Sequence, residues 1–171
     1  MIEIREERPE DVTAVREVDR RAFGQDQECN IVDALRTNGV ALLSLVATVN
    51  DQVAGHIMYS PLIIAENVHG VALGPMAVVQ EYQRQGIGTK LVEVGNQKIK
   101  DAGYPFIIVV GHAEYYPRFG FRPASEYGFK CEWDIPDDVF MVLILDQPKM
   151  PGVSGLASIA TSFLLYLSPA H

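Results

Sequence analysis

Gln83, Gly86 and Gly88 stand in the spacing Gln-x-x-Gly-x-Gly, between an apolar run and a stretch with helical periodicity. The first N–H groups of a helix have no intrahelical partner and carry the positive end of its dipole, which makes such a turn a phosphate site. Without a Cβ at Gly86 or Gly88, a pyrophosphate can approach the main chain, and Gln83, Arg84 and Thr89 can add donors or charge. Glycines at a turn also serve backbone conformation alone, so the spacing by itself leaves both readings open. A second group with chemical capacity, His112, Glu114, Tyr115 and Tyr116, follows another apolar run, Phe106 to Val110. Glu132, Asp134, Asp137 and Asp138 lie close together, but they lack calcium-loop spacing and Pro136 interrupts them, so a solvated acidic loop is expected. Ser154 lacks the strand-to-helix setting of a nucleophile elbow.

The elements that must position these groups follow from periodicity. Ile2 and Ile4 alternate with charges in a short opening strand, and Pro9, Glu10 and Asp11 suit the first turn of a helix. That helix buries Val12, Val15, Val18 and Ala22 and stops at Gly24; a second spans about Glu28 to Asn38. Leu42 to Val49 and Val53 to Ile64 are β-rich and flank Asn50-Asp51, which predicts a hairpin, and Glu66-Asn67 leads to the next strand. The run Val71 to Val79 is that strand, Gln80 to Gln85 breaks it, and a helix follows to Ala102, with Gly103 as its stop. Phe106 to Val110, a short helix around Tyr115 and a last strand Phe140 to Leu145 complete an α/β order with a mixed central sheet. His56 and His69 fall within strand patterns and read as structural.

Length and composition bound the rest. A chain of 171 residues, 48% hydrophobic and 21% charged, suits one soluble domain over 1–171. A net charge of −8 and no basic stripe exclude a function built on nucleic-acid phosphates. Cys29 and Cys131 have no metal-ligand spacing and read as reduced thiols, and no metal is expected. With no leader pattern and no apolar run of the ~20 residues that span a bilayer, a cytoplasmic protein without a membrane partner is expected. The run Leu156 to Leu167 is expected to pack on the domain or on a second copy, as in a homodimer.

The glycine loop and its flanks resemble the acetyl-CoA pyrophosphate loop of the GNAT superfamily of N-acyltransferases, Gln/Arg-x-x-Gly-x-Gly/Ala between a strand and a helix. Tyr115-Tyr116-Pro117-Arg118-Phe119-Gly120-Phe121 resembles that superfamily's aromatic-Tyr-x-x-x-Gly-Phe segment, at the usual distance and after a strand. The resemblance covers about residues 2–145, leaving 146–171 as a C-terminal extension, and is closest to a subfamily with Ala-Leu-Gly-Pro before the loop. It implies a GNAT fold in which the fourth and fifth strands run parallel and splay apart around the pantetheine arm.

The resemblance also implies the chemistry: an acetyl-CoA-dependent N-acetyltransferase that uses direct attack by an amine, with a small molecule or a protein amine as acceptor. Acetyl transfer requires a neutral amine, help for the oxyanion and a proton for the leaving thiolate. The resemblance puts the oxyanion donor on the main chain near Ala77 or Val78, next to Met76, and acetyl-CoA on Gln83, Arg84, Gln85, Gly86, Ile87, Gly88 and Thr89. Tyr116 aligns with the family's general acid, with a core aromatic as the alternative; Tyr115 reads as a core aromatic. The carboxylate that many relatives carry before the loop is replaced by Gly74 and Pro75. Candidate bases are then Glu28, whose alternative is an exposed acid at a helix start, His112 and Glu114, or water. Two rivals remain: a non-catalytic acyl-CoA sensor, and a nucleotide-binding domain, which lacks its Gly-x-Gly-x-x-Gly loop.

Overall fold

The structure, a computed structural model, describes residues 1–64, 68–131, 134–146 and 155–159. Glu66-Asn67, Glu132, Ser154 and the part of the apolar run from 160 onward lie outside them. The order is β1 Ile2–Glu6, α1 Val12–Phe23, α2 Gln27–Thr37, β2 Leu43–Val49, β3 Gln52–Ile64, β4 Val68–Val78, α3 Ile87–Asp101 and β5 Phe106–Val110. After it come β6 Arg122–Pro123, β7 Phe129–Cys131, β8 Phe140–Ile144 and β9 Gly155–Ile159. Along the sheet the strands run β1-β2-β3-β4-β5-β8-β6, with β4 and β5 parallel and the other neighbours on that path antiparallel.

Local chemistry accounts for the main boundaries. Asn50 and Asp51 both take positive φ, 51° and 65°, between β2 and β3, as a tight hairpin turn requires. A 3-10 turn over Pro9–Asp11 opens α1. There the Asp11 carboxylate accepts the Arg8 N–H at 2.7 Å and two bonds from the Arg5 guanidinium at 2.7 and 3.0 Å. Gly24, at φ 71°, closes the helix by donating its N–H to the Arg20 carbonyl. Three strands escape the sequence pattern: β6 and β7, of two and three residues, are too brief to show alternation, and β9 falls at the start of the run Leu156 to Leu167, which reads only as apolar. β9, the start of the run expected to pack on the domain, runs antiparallel to β3 over Leu62–Ile64 and parallel to β7.

Alternation along the strands divides the core between the two sheet faces. Val15, Ile31, Val32 and Leu35 of α1 and α2 pack with Val46, Met58, Ala72, Phe106 and Ile108. Leu91, Val92 and Ile99 of α3 pack with Leu45, Ile57, Val71, Leu73 and Ile107. Leu35 is fully buried, so truncation to alanine would cost about 2–5 kcal/mol.

One irregularity matters for function. Tyr59 pairs with Leu73 but Ile57 pairs with Met76, so β4 places Gly74 and Pro75 opposite Met58 alone, as a β-bulge. Gly74 has φ 145°, which only glycine adopts readily, and its peptide bond to Pro75 is cis. The parallel ladder with β5 covers only Val71 to Leu73, so the two strands part where the bulge begins. The position expected to carry a carboxylate is therefore the joint at which the sheet opens.

Candidate active site

Beyond the bulge, Met76, Ala77 and Val78 lie on an edge that β5 has left. Val79 donates its N–H to the Ala54 carbonyl of β3 at 3.0 Å. Successive peptide groups of an extended strand point to opposite edges, so the Val78 N–H faces the opening. A cavity of about 860 Å³ occupies this opening, and Met76, Ala77 and Val78 all line it.

The loop after β4 is held by its own side chains. A 3-10 turn, Gln80–Tyr82, leads in, and Gln83 Nε2 donates to the Val78 carbonyl at 2.9 Å. Gln83 thus ties the loop to the strand end, and it also lines the cavity. Gln85 Nε2 likewise binds the Glu81 carbonyl at 3.1 Å, and Gln85 does not line the cavity. Arg84, at φ 62°, and Gly86, at φ 85°, turn the chain into α3, whose first intrahelical bond runs from the Lys90 N–H to the Gly86 carbonyl. The N–H groups of Ile87, Gly88 and Thr89 are therefore free of intrahelical partners. The Ile87 side chain is buried in the core, while Arg84, Gly86, Gly88 and Thr89 line the cavity. A Cβ on Gly86 would meet nothing within 4 Å; one on Gly88 would lie 3.0 Å from the Tyr115 hydroxyl.

The wall across from the loop comes from the end of β5. Gly111 and His112 line the cavity, as do Tyr115 and Tyr116 around a 3-10 turn, Tyr116–Phe119. Tyr116 is buried against Gly111, where a Cβ would approach its ring to 2.5 Å, and stands edge-on to Tyr115 and Phe121. Tyr115, read from sequence as a core aromatic, is instead half-buried with its hydroxyl beside Gly88 and hydrogen-bonded with Thr89. Burial raises its pKa above the ordinary phenol value, and Thr89 and Arg118 partly offset that.

Ala22 and Phe23, from the last turn of α1, and Tyr82 also line the cavity. An ion pair of 2.5 Å between Arg21 and Glu81 links α1 to the turn before the loop. Behind this wall, His56 places Nε2 2.8 Å from the Ser44 hydroxyl and Nδ1 3.3 Å from Asp19, with His56 and Asp19 wholly buried. Glu28 is not the exposed helix-start acid considered above: it is fully buried, and Gln25 Nε2 donates to its carboxylate oxygens at 3.0 and 3.3 Å. Neither Glu28 nor Glu114 lines the cavity. Among the described residues, no group of three or more His, Cys, Asp or Glu could hold a metal ion, and no helix is long and apolar enough to cross a membrane.

Residues found only with the fold are Ala22, Phe23, Tyr82, Gly111, Tyr115 and Arg118. Arg118 lay inside the quoted Tyr-Tyr-Pro-Arg motif, so a cation there was the available signal; nothing in the spacing of Ala22 and Phe23 connects them to a loop 60 residues on.

The sequence of residues 42–123 matches the family model for the acetyltransferase (GNAT) domain. The chain is 34% identical over 155 residues to the uncharacterized N-acetyltransferase YhbS of Escherichia coli strain K12, covering 90% of this chain and 93% of that protein. Its fold superposes on the crystal structure of E. coli YhbS in complex with CoA with TM-score 0.91, 33% identity and coverage of 95% and 92%. On a GNAT family acetyltransferase from Brucella melitensis in complex with acetyl-CoA, the TM-score is 0.80, at 34% identity and coverage of 95% and 98%. With the parted parallel strands, the glycine turn at a helix N-terminus and relatives matched over nine-tenths of the chain, this protein belongs to the GNAT family of N-acetyltransferases.

Proposed function

We propose that the enzyme takes acetyl-CoA as donor and passes its acetyl group to an amine by direct attack, without a covalent enzyme intermediate. The observation that carries this reading is the placement of the Tyr116 ring and the outward Val78 N–H on one cavity, beside the free N–H groups of α3. The residues fit a CoA-type ligand: the helix terminus suits a pyrophosphate, the Gly86 face leaves room for it, and the open edge of β4 offers peptide groups to pantetheine amides.

In this reading the Val78 N–H donates to the developing oxyanion, and Tyr116 protonates the departing thiolate. A phenol hydroxyl can donate its proton to a departing thiolate. With no carboxylate among the described lining residues, His112 is the lining side chain with an imidazole nitrogen able to accept a proton, and it takes the amine proton directly or through water. Tyr116, unlike Glu28, both lines the cavity and carries a transferable proton.

The test is release of free CoA thiol from acetyl-CoA across a panel of amines, with a protein N-terminal peptide and small primary amines as separate arms. Amine-dependent release supports the reading. Tight acetyl-CoA binding with no release above the hydrolytic background for any amine would instead make the protein an acyl-CoA sensor.

A further inference from the structure

The arginines fall into two groups. Arg5, Arg16, Arg20, Arg21, Arg36 and Arg122 each pair with a carboxylate. Arg8, Arg84 and Arg118 make no ion pair with a carboxylate among the described residues, and of these three Arg84 and Arg118 line the cavity. In a chain with 22 acidic side chains against 14 basic ones, carboxylates are in excess, so guanidinium groups left unmatched in one concave site point to an anionic ligand with more than one charged group.

The two lie on different elements. Arg84 belongs to the turn that delivers the N-terminus of α3, and together they serve one anion. Arg118 sits across the cavity, in the turn after β5, where its guanidinium carbon lies 4.6 Å from the centroid of the Tyr115 ring. Its Nε donates to the Tyr115 carbonyl at 3.0 Å, so the group is held in place with both terminal nitrogens left over. Tyr115 is itself fixed at its hydroxyl by Thr89, so the platform under Arg118 is anchored to the same helix that holds the first anion.

We infer that Arg118, stacked on Tyr115, binds a second phosphate, the 3′-phosphate on the ribose of CoA, and that it makes the enzyme discriminate CoA from dephospho-CoA. This rests on the acyl-CoA reading above and adds a specificity determinant to it. A bidentate arginine contact with a phosphate at a solvent-exposed rim is worth roughly a 10-fold to 100-fold difference in affinity at low ionic strength, shrinking as salt screens it.

The experiment is calorimetric titration of wild type, Arg118→Gln and Arg118→Lys with CoA and with dephospho-CoA, at low salt and at about 0.15 M salt. Wild type is expected to prefer CoA; Arg118→Gln should bring the two ligands to within about 3-fold of each other by weakening CoA alone, and Arg118→Lys should retain part of the preference. Arg118 is exposed, so the unliganded variants should melt with the wild type. An unchanged preference in Arg118→Gln overturns the inference, as does equal weakening of both ligands, which would assign Arg118 to the pyrophosphate. A wild type that binds both ligands equally overturns it too while leaving the acyl-CoA reading intact; a wild type that binds neither overturns both.

Discussion

The two ends of the cavity are built by different means. The donor end is made of backbone: an abandoned strand edge, the free N–H groups of α3 and a turn in which Arg84 and Gly86 take positive φ. The rest of the lining is made of side chains, among them Ala22, Phe23, Tyr82 and His112, from elements far apart in the chain, and the proposed reading takes it as the acceptor end. Backbone geometry of this kind tolerates few residue types, so it leaves fixed spacings behind, whereas a wall of side chains can be assembled from many sequences. In the proposed reading the donor end is the part expected to be held in common with relatives solved in complex with CoA or acetyl-CoA, and the side-chain wall is the part expected to set acceptor specificity.

That contrast can be broken most sharply at Gly88. A Cβ there already meets the Tyr115 hydroxyl at 3.0 Å, and Gly88→Glu adds a carboxylate beside the expected phosphate. Acetyl-CoA at ~100 times its dissociation constant should stabilise wild type by about 2.7 kcal/mol, and the variant should show no shift in a thermal melt. Retention of the shift would move the phosphate away from this turn.

Tyr116 lines the cavity with its ring buried, and Tyr116→Phe keeps that ring while removing the hydroxyl. Single-turnover rates should fall by roughly 10²–10⁴-fold, with acetyl-CoA affinity nearly unchanged. Tyr115→Phe should be far milder in rate, since its hydroxyl lies at Gly88 and Thr89. Equal rates for Tyr116→Phe and wild type would transfer the proton to water or His112.

Legibility from sequence follows the same division. The loop from Gln83 to Thr89, the helix after it and β5 could be read because glycine, periodicity and β-branched runs each report a backbone demand. The bulge at Gly74 was visible only as a missing carboxylate: the residues that open the sheet look, in sequence, like the loss of a base. Glu28 and Tyr115 were misplaced because burial depends on tertiary packing; helix periodicity says which face points inward but not how far a neighbouring helix covers the first turn. β6, β7 and β9 are held by pairing with distant strands, a contact that no local pattern encodes.

The acceptor wall is sharpened by His56. Its ring joins the Ser44 hydroxyl to the Asp19 carboxylate, with both His56 and Asp19 wholly buried. His56→Ala leaves a buried carboxylate without that partner and a cavity beneath α1, at a cost of about 3 kcal/mol in chemical denaturation. Acetyl-CoA affinity should hold in the folded fraction, because the substitution removes a side chain while the backbone of residue 56 keeps its pairing with Ala77 of β4. A loss of acetyl-CoA affinity as large as the loss of stability would mean that the two ends are not separable.

The smallest effect is expected at the opposite end of α1, where Asp11 pins the helix that carries Ala22 and Phe23. The Arg5 guanidinium, through two hydrogen bonds, and the Arg8 N–H hold the Asp11 carboxyl below the usual carboxylate range. Asp11→Asn should cost about 1–2 kcal/mol at neutral pH, toward the lower part of the range for charged hydrogen bonds, because Arg5 keeps 21% of its side-chain surface in solvent. The sign of its pH dependence follows from the depressed folded pKa. The contribution is complete above the unfolded value of about 3.9 and is lost as pH falls through the lower folded value. Denaturation of wild type and Asp11→Asn should therefore differ at pH 7 and converge in acid. A gap that stays constant into strong acid would show that Asp11 acts by shape alone, and a gap that opens only in acid would reverse the assigned shift. Because the acceptor wall hangs from the other end of the same helix, the variant should also raise the KM for the amine more than that for acetyl-CoA.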